Sequence, residues 1–350
     1  VSDFPELNCP LPIGQYERVL MAHGGGGQLM QQLLDRLVQP AFDNPYLAAR
    51  HDSAVFESGG QRFAFTTDSY VVKPLFFPGG DIGKLAVCGT LNDLAMAGAR
   101  PLFLSSALII EEGFPVDALR RVLESMAATA RAAGVCIVTG DTKVVERGRG
   151  DGLYINTAGI GRLDAGTPVI RPAAARPGDV ILVNGDIGRH GIAIMAQREG
   201  LALETTLESD CADLSGLVGR LLDAGVDLHV LRDLTRGGLA SALIEIAEAA
   251  GVGLSLEEDA IPVREAVQGV CEILGFDPLY VANEGRMALI LPDDQAEAAL
   301  AVLRGHPLGE GAALIGRLTE SPAGQVRIRT PFGTERILLR LSGEQLPRIC

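Results

Sequence analysis

Four aspartates, two glycine-rich stretches and a C-terminal cysteine are the residues of this sequence best equipped for chemistry. Asp52 in HDSAVFE, Asp68 in TTDSY, Asp93 in LNDLAMAGA and Asp233 in RDLTRGGLA fall at expected ends of strands or starts of helices. Gathered together, their oxygens would suit a hard cation such as Mg2+, which prefers carboxylate and phosphate oxygens to sulfur or imidazole. Each alone reads as a turn residue or a helix N-cap. The glycine-rich stretches, HGGGGQLM with Gly24, Gly25, Gly26 and Gly27, and LTRGGLASAL, each precede a helical pattern. Backbone N–H groups at a helix N-terminus favour phosphate. Neither stretch is a Walker A or a G-x-G-x-x-G motif, and a hinge or a lid over a ligand is the alternative reading.

VTGDTKVV puts Asp141, Thr142 and Lys143 just past an expected strand, the end at which α/β folds keep ligands. Lys143 reads as a surface lysine, a phosphate contact or a proton carrier. YVANEGRMALI places Asn283 and Glu284 in a turn before a strand. The final residue, Cys350, follows an expected last strand ending near 341, so residues 342–350 form a flexible tail. At ~3.3–3.6 Å per extended residue that tail reaches roughly 30 Å, from its own cleft to another protein. Arg348 beside the thiol is expected to favour the thiolate.

Composition bounds what these residues can serve. The 350 residues suggest two domains, and 44 acidic against 30 basic side chains give a net charge of −14. That excludes the basic footprint of a nucleic-acid or anionic-membrane surface, while leaving room for a small anion held by amides or a metal. There is no Trp and only 5% of residues are aromatic, which suits helices laid on sheets. The six scattered cysteines form no C-x-x-C pair. Cys9 stands in a polar N-terminal lead, and Cys88, Cys136 and Cys271 lie in apolar runs and read as small buried hydrophobes. No signal peptide and no span of ~18 apolar residues is evident, so a cytoplasmic protein is expected.

The elements that must position these groups alternate. Helices are expected over 29–38, 81–99, 116–134, 188–199, near 213–224, and within 233–251, 264–275 and 294–305. Strands are expected over 61–72, 101–110, 135–145, 152–161, 180–185, 252–258 and 286–292, with a β-rich end over 312–341. The Pro- and Gly-rich stretch 162–179 reads as a linker between two α/β halves, and GGDIGKLAV and NGDIGRHGI echo one another across it.

Taken together, HGGGGQLM, TTDSYVVKPLFFPGGDIGKLAVCGTLNDLAMAGARP, VTGDTKVV, RDLTRGGLA and the terminal PRIC resemble the HypE family of carbamoyl dehydratases of [NiFe]-hydrogenase maturation, over essentially the whole chain. The wider superfamily is that of aminoimidazole ribonucleotide synthetase, with selenophosphate synthetase and thiamine-phosphate kinase. The resemblance implies an α/β (α+β) fold of two such domains: a segment 1–43 with the glycine-rich loop, an N-terminal domain 44–165 with the ATP and metal site and a dimer interface, a C-terminal domain 172–341, and the tail 342–350. It implies ATP and Mg2+ as cofactors, a homodimer, the carbamoyltransferase HypF as carbamoyl donor and the HypC–HypD scaffold as cyanide acceptor. A carbamoyl group on Cys350 would be phosphorylated by ATP and eliminated to a thiocyanate. Glu284 and Lys143 are the implied bases. Asp52, Asp68, Asp93 and Asp233 are the implied metal ligands, and Asn92, Asp141 and Thr142 join the glycines at the nucleotide. Selenophosphate synthetase would want a cysteine in the glycine-rich loop, where His23 stands instead. The alternatives are a related ATP-dependent synthetase or kinase on a free small molecule, and a non-catalytic carbamoyl carrier.

Overall fold

The computed structural model describes residues 18–201, 207–341, 346 and 348–350. Cys9 with the N-terminal lead, and tail residues 342–345 and 347, lie outside the described residues. Strands β1 (Ala54–Ser58) and β2 (Gln61–Tyr70) form a hairpin, and a small ribbon of β3 (Phe76–Phe77) and β4 (Gly80–Asp81) leads into the helix Ile82–Met96. With β5 (Arg100–Glu111), β6 (Cys136–Val145) and β7 (Leu153–Arg162), the first sheet runs β1-β2-β7-β5-β6. Only β5 and β6 are parallel, and their crossover carries the helix Val116–Ala132. The second sheet uses β8 (Asp179–Val183), β9 (Val230–Asp233), β10 (Gly253–Glu257), β11 (Met287–Pro292), β12 (Ala313–Thr319), β13 (Val326–Arg329) and β14 (Glu335–Leu338) in the order β14-β13-β10-β12-β8-β11-β9. Its one parallel pair is β10 with β13. Both sheets are therefore mixed and mostly antiparallel, the α+β variant of the expected architecture.

Two helices show how sequence pattern becomes position. Val116–Ala132 is amphipathic: Val122, Met126 and Ala130 are buried at a spacing of four, and the charged residues face solvent. Ile82–Met96 is apolar nearly all round and is buried nearly all round, with the first sheet on one side and the second domain on the other. Asp81 starts it, its carboxylate accepting the Gly83 and Lys84 N–H groups. Asn92 and Asp93, polar residues near the end of a helix with no solvent face, are thereby delivered to the seam between the domains. Gly89 on this helix is required by close approach: a Cβ there would stand 2.2 Å from the Tyr70 hydroxyl.

Several expectations are corrected here. Asp93 is not at a helix start but in the last turn of Ile82–Met96, and Asp68 lies within β2 rather than at its end. Asp141, Thr142 and Lys143 lie inside β6, not beyond it. The short strands β1 and β9 are additional, and β14 stops at Leu338. Cys136 is exposed, not buried, because β6 is the last strand of its sheet and is open on both faces. The outer face of this sheet also exposes Phe65, Phe103 and Ile109, and the edge strand β6 exposes Val138 and Val144. No helix among the described residues is long and apolar enough to cross a membrane.

Candidate active site

Asp52 enters from the residue pair ahead of β1, Asp93 from the central helix and Asp233 from the end of β9, and their carboxylate oxygens lie within 4.8 Å of one another. The surroundings hold them there. Thr66 on β2 donates to Asp93 Oδ2 at 2.8 Å and lies 2.9 Å from the Asp52 carbonyl, and Ser53 Oγ donates to the Asp93 carbonyl at 2.8 Å. The Arg232 guanidinium pairs with Asp52, and Arg232 Nη2 is 2.7 Å from Glu245.

Burial raises all three acids, and the balance of neighbours then divides them. For Asp52 the opposing charge of Arg232 and the His51 ring prevail, so its carboxyl sits below its ordinary range. Asp93 is pushed well up by burial and then by Asp233 and Asp52. Asp233 is pushed up to about 8 by burial and by Asp52, against the pull of Arg232. Asp52 Oδ2 is buried without a hydrogen-bond partner. Three crowded carboxylates with one cation committed to one of them are a donor set that fits a divalent, oxygen-preferring ion. Asp68, the expected fourth member, is outside this group. It lines the same cavity, accepts the Ser69 N–H at 2.6 Å, and is raised by burial against the charge of Arg236.

That cavity, of about 1130 Å³, is lined by the carboxylates, by Gly26 and Gly27, by Thr235 and Arg236, and by Glu284. A second cavity of about 570 Å³ adjoins it, lined by Gly24, Gly25, Gly237, Ile349 and Cys350. Arg236 is on the wall of both. The two glycine-rich stretches, 210 residues apart in sequence, thus meet: the Gly26 position, at φ +74°, has room for a Cβ only 3.1 Å from the Arg236 carbonyl. Arg236 Nη1 in turn lies 3.4 Å from the Gly24 carbonyl. One of the helix-start amides is already engaged, since Gln28 N–H donates to the Leu341 carbonyl at 2.8 Å.

Cys350 is not on a free tip. Its carbonyl accepts the Val71 N–H at 3.0 Å, Ile349 is buried, and the thiol packs on the core of the first domain. Burial pushes the thiol up to about 12, with Arg236 opposing and Glu284 and Asp68 adding to the rise. The expected help from Arg348 is absent because its guanidinium pairs with Asp151; the cation that acts on the thiol is Arg236. Glu284, buried, has an Oε1 with no hydrogen-bond partner and is pushed well above the usual carboxylate range by burial, then by Cys211 and Asp233.

Three expected residues stand apart within one chain. Lys143 and Asp141 pair with each other at 2.6 Å on exposed β6, with Thr142 between them, and none lines either cavity. Hydrogen bonding from Lys143 holds the Asp141 carboxyl below its ordinary value. Asn92 is buried and spends its side chain on the domain seam: Nδ2 donates to the Ala212 carbonyl at 3.1 Å and Oδ1 accepts the Leu214 N–H at 2.8 Å. It is a clamp rather than a cavity wall. Thr66, Arg232 and Arg236 are site residues that sequence reasoning passed over, although the two arginines flank Asp233 in RDLTRGG.

The matched families agree with this geometry. Residues 50–163 match the AIR synthase related protein, N-terminal domain, and residues 176–329 match its C-terminal domain. Fold and site therefore define the class: an AIR synthase related protein. The chain is 54% identical over 336 residues to the carbamoyl dehydratase HypE of Rhodobacter capsulatus, covering 95% of this chain and 98% of the relative. It is 50% identical to that of Escherichia coli K12, covering 95% and 99%. Among solved structures, a HypE–HypF complex matches at 48% identity and a TM-score of 0.84, covering 88% of this chain and 99% of the other. A HypE in complex with ATP matches at 50% identity and 0.80, covering 95% and 100%. The chain belongs to the HypE family of carbamoyl dehydratases.

Proposed function

We propose that this chain carries a carbamoyl group on Cys350 and dehydrates it to a thiocyanate at the expense of ATP, providing the cyanide ligand for the iron of [NiFe]-hydrogenase. The observation that carries the reading is the docking of Cys350 on the far side of Arg236 from a three-carboxylate cavity. An amide oxygen is a poor leaving group. Its attack on the γ-phosphorus, with departure of ADP, forms a C–O–P linkage; breaking that C–O bond as the nitrogen loses its protons leaves S–C≡N and phosphate. Of the two N–H protons, one ends on phosphate and one in solution.

The chain's own groups supply position and charge. Asp52, Asp93 and Asp233 would hold Mg2+, with Asp68 on the same cavity wall, and the ion would neutralise phosphate charge. Gly24–Gly27 line the path between thiol and carboxylates. Arg236 supplies positive charge where the two cavities adjoin. Glu284, its carboxyl raised by burial and so a stronger base than an ordinary carboxylate, is suited to accept an N–H proton. Lys143, with Asp141 and Thr142, occupies the free edge of β6. A part for it in proton removal therefore requires a second copy packed on that edge. The unpaired β6 and the exposed Val138, Val144, Phe103 and Ile109 favour such a homodimer. HypF, bound to a relative in a solved complex, is the expected donor, and the HypC–HypD scaffold the expected acceptor of the cyano group.

The test is intact mass. Protein loaded with carbamoyl on Cys350 and given MgATP is expected to lose the mass of one water. Asp93→Asn is expected to load normally and keep the carbamoyl mass. Loaded wild type that retains its carbamoyl group would make this chain a carrier. ATP turnover that depends on a free small molecule and leaves protein mass untouched would make it a kinase of that molecule.

A further inference from the structure

The last residues of the chain are held by contacts separate from the carboxylate cavity. Beside the bond from Val71 N–H to the Cys350 carbonyl, Lys73 N–H donates to the Arg348 carbonyl at 3.3 Å and Arg348 Nε donates back to the Val71 carbonyl at 3.0 Å. The tip thus runs antiparallel along residues 71–73, which follow β2, joined to them by two backbone hydrogen bonds. Ile349 between these contacts is 2% exposed. Its carbonyl is 2.9 Å from Nε2 of His190, a fully buried ring whose Nδ1 is 2.8 Å from Ser209 Oγ. Asp151, on the turn before β7, takes the Arg348 guanidinium and, at 2.9 Å and 3.0 Å, the Lys73 ammonium. Arg198 reaches the carbonyls of both Arg348 and Lys73.

We propose that Asp151 and His190 are positioning residues, which fix the register of the tail tip against 71–73 and so hold the Cys350 thiol, and any group on it, at the cavity wall. This rests on the reading of Cys350 as the substrate carrier. Register is what needs fixing. Two backbone bonds would be remade after a slip of one or two residues. A one-residue slip would move the thiol by ~3.5 Å along the segment, and a two-residue slip by ~7 Å. The Arg348 side chain on Asp151 and the buried Ile349 side chain select one alignment, and His190 anchors the Ile349 carbonyl in it. Arg348 itself sits at φ +53°, a left-handed conformation that a residue with a Cβ adopts only when its surroundings hold it. Here its side chain and its carbonyl are both engaged. Asp151 and Lys73 are partly exposed, so the grip is strong enough to align the tail and weak enough to release it for loading.

The experiment uses the full-length protein, unloaded and without nucleotide. Cys350 is alkylated with iodoacetamide, and its C-terminal peptide is followed by mass spectrometry beside that of Cys136. A docked thiol is shielded and reacts slowly. Asp151→Asn and His190→Gln are expected to raise the Cys350 labelling rate roughly three- to tenfold, with Cys136 unchanged and Asp151→Glu restoring most of the protection. Arg348→Gln, a change in the tail itself and outside both cores, is expected to act like Asp151→Asn, so a poorly folded variant cannot hide the answer. In carbamoyl-loaded protein the same variants are expected to slow single-turnover dehydration. Cys350 labelling at the wild-type rate in both Asp151→Asn and Arg348→Gln would overturn the positioning role whatever the dehydratase assay gives. Slow wild-type labelling with no loss of water from loaded protein would overturn the dehydratase reading and leave the docking contacts standing.

Discussion

Without a cation, the carboxylate cluster works against the fold, and Asp233→Asn exposes by how much. The Asp233 carboxyl has an ordinary value of 3.8 and is pushed up to about 8, first by burial and then by the charge of Asp52. A raised value means that the folded chain keeps a proton the unfolded chain has lost. The associated stability is complete below pH 3.8 and disappears as pH rises through 8. Between pH 6 and pH 8 this one group removes about 2 kcal/mol. With an unfolding entropy of about 2.1 cal/mol/K per residue over 350 residues, that corresponds to about 3 °C in Tm. Asn keeps the shape and cannot titrate. The chain has no Trp, so calorimetry in EDTA is the suitable assay. The Tm of Asp233→Asn relative to wild type is expected to rise by about 3 °C between pH 6 and pH 8, and Mg2+ at pH 8 should then raise the wild type alone. Parallel pH curves for the two proteins would refute the argument that the cluster is crowded and under-compensated.

Two further outcomes follow from the seam and the open edge. Asn92→Ala leaves the Leu214 N–H and the Ala212 carbonyl without their partner between the domains. It should cost about 2–4 kcal/mol, read by urea unfolding, and wild-type stability would mean that water replaces the amide. Val144→Lys puts a charge at an exposed position of the edge strand β6. It should convert a dimer to a monomer in analytical ultracentrifugation, and a dimer unaffected by the change would place the interface elsewhere.

Much of this was legible in the residues. The four-residue spacing of Val122, Met126 and Ala130, close to the helical repeat, marks a helix and its buried face. The apolar run of Ile82–Met96 marks a helix covered on every side, which makes Asn92 and Asp93 conspicuous. What the run cannot say is which way each points. Asn92 and Asp93 are one residue, hence about 100° of helix, apart: one turns to the second domain and clamps it, the other turns to β2 and Thr66. The echo of GGDIGKLAV in NGDIGRHGI likewise hides a divergence. Asp81 caps its helix, whereas Asp186 pairs with Arg189, Arg264 and Arg286.

The sequence by itself determined the candidate chemistry: which acids, which glycines, and a sulfur at the end of a tail. It determined most element boundaries, because hydrophobic period and glycine punctuation are local properties. Only the tertiary structure decided which acids share a site, because Asp52, Asp93 and Asp233 come within 4.8 Å through two sheets and a helix far apart in the chain. It moved Asp68 to the cavity wall, left Lys143 on an open edge, and replaced Arg348 by Arg236 as the charge felt by Cys350. A charge acts through space and, in physiological salt, loses its force over about 8–10 Å of separation. Adjacency along the chain therefore says little about which cation a thiol will meet.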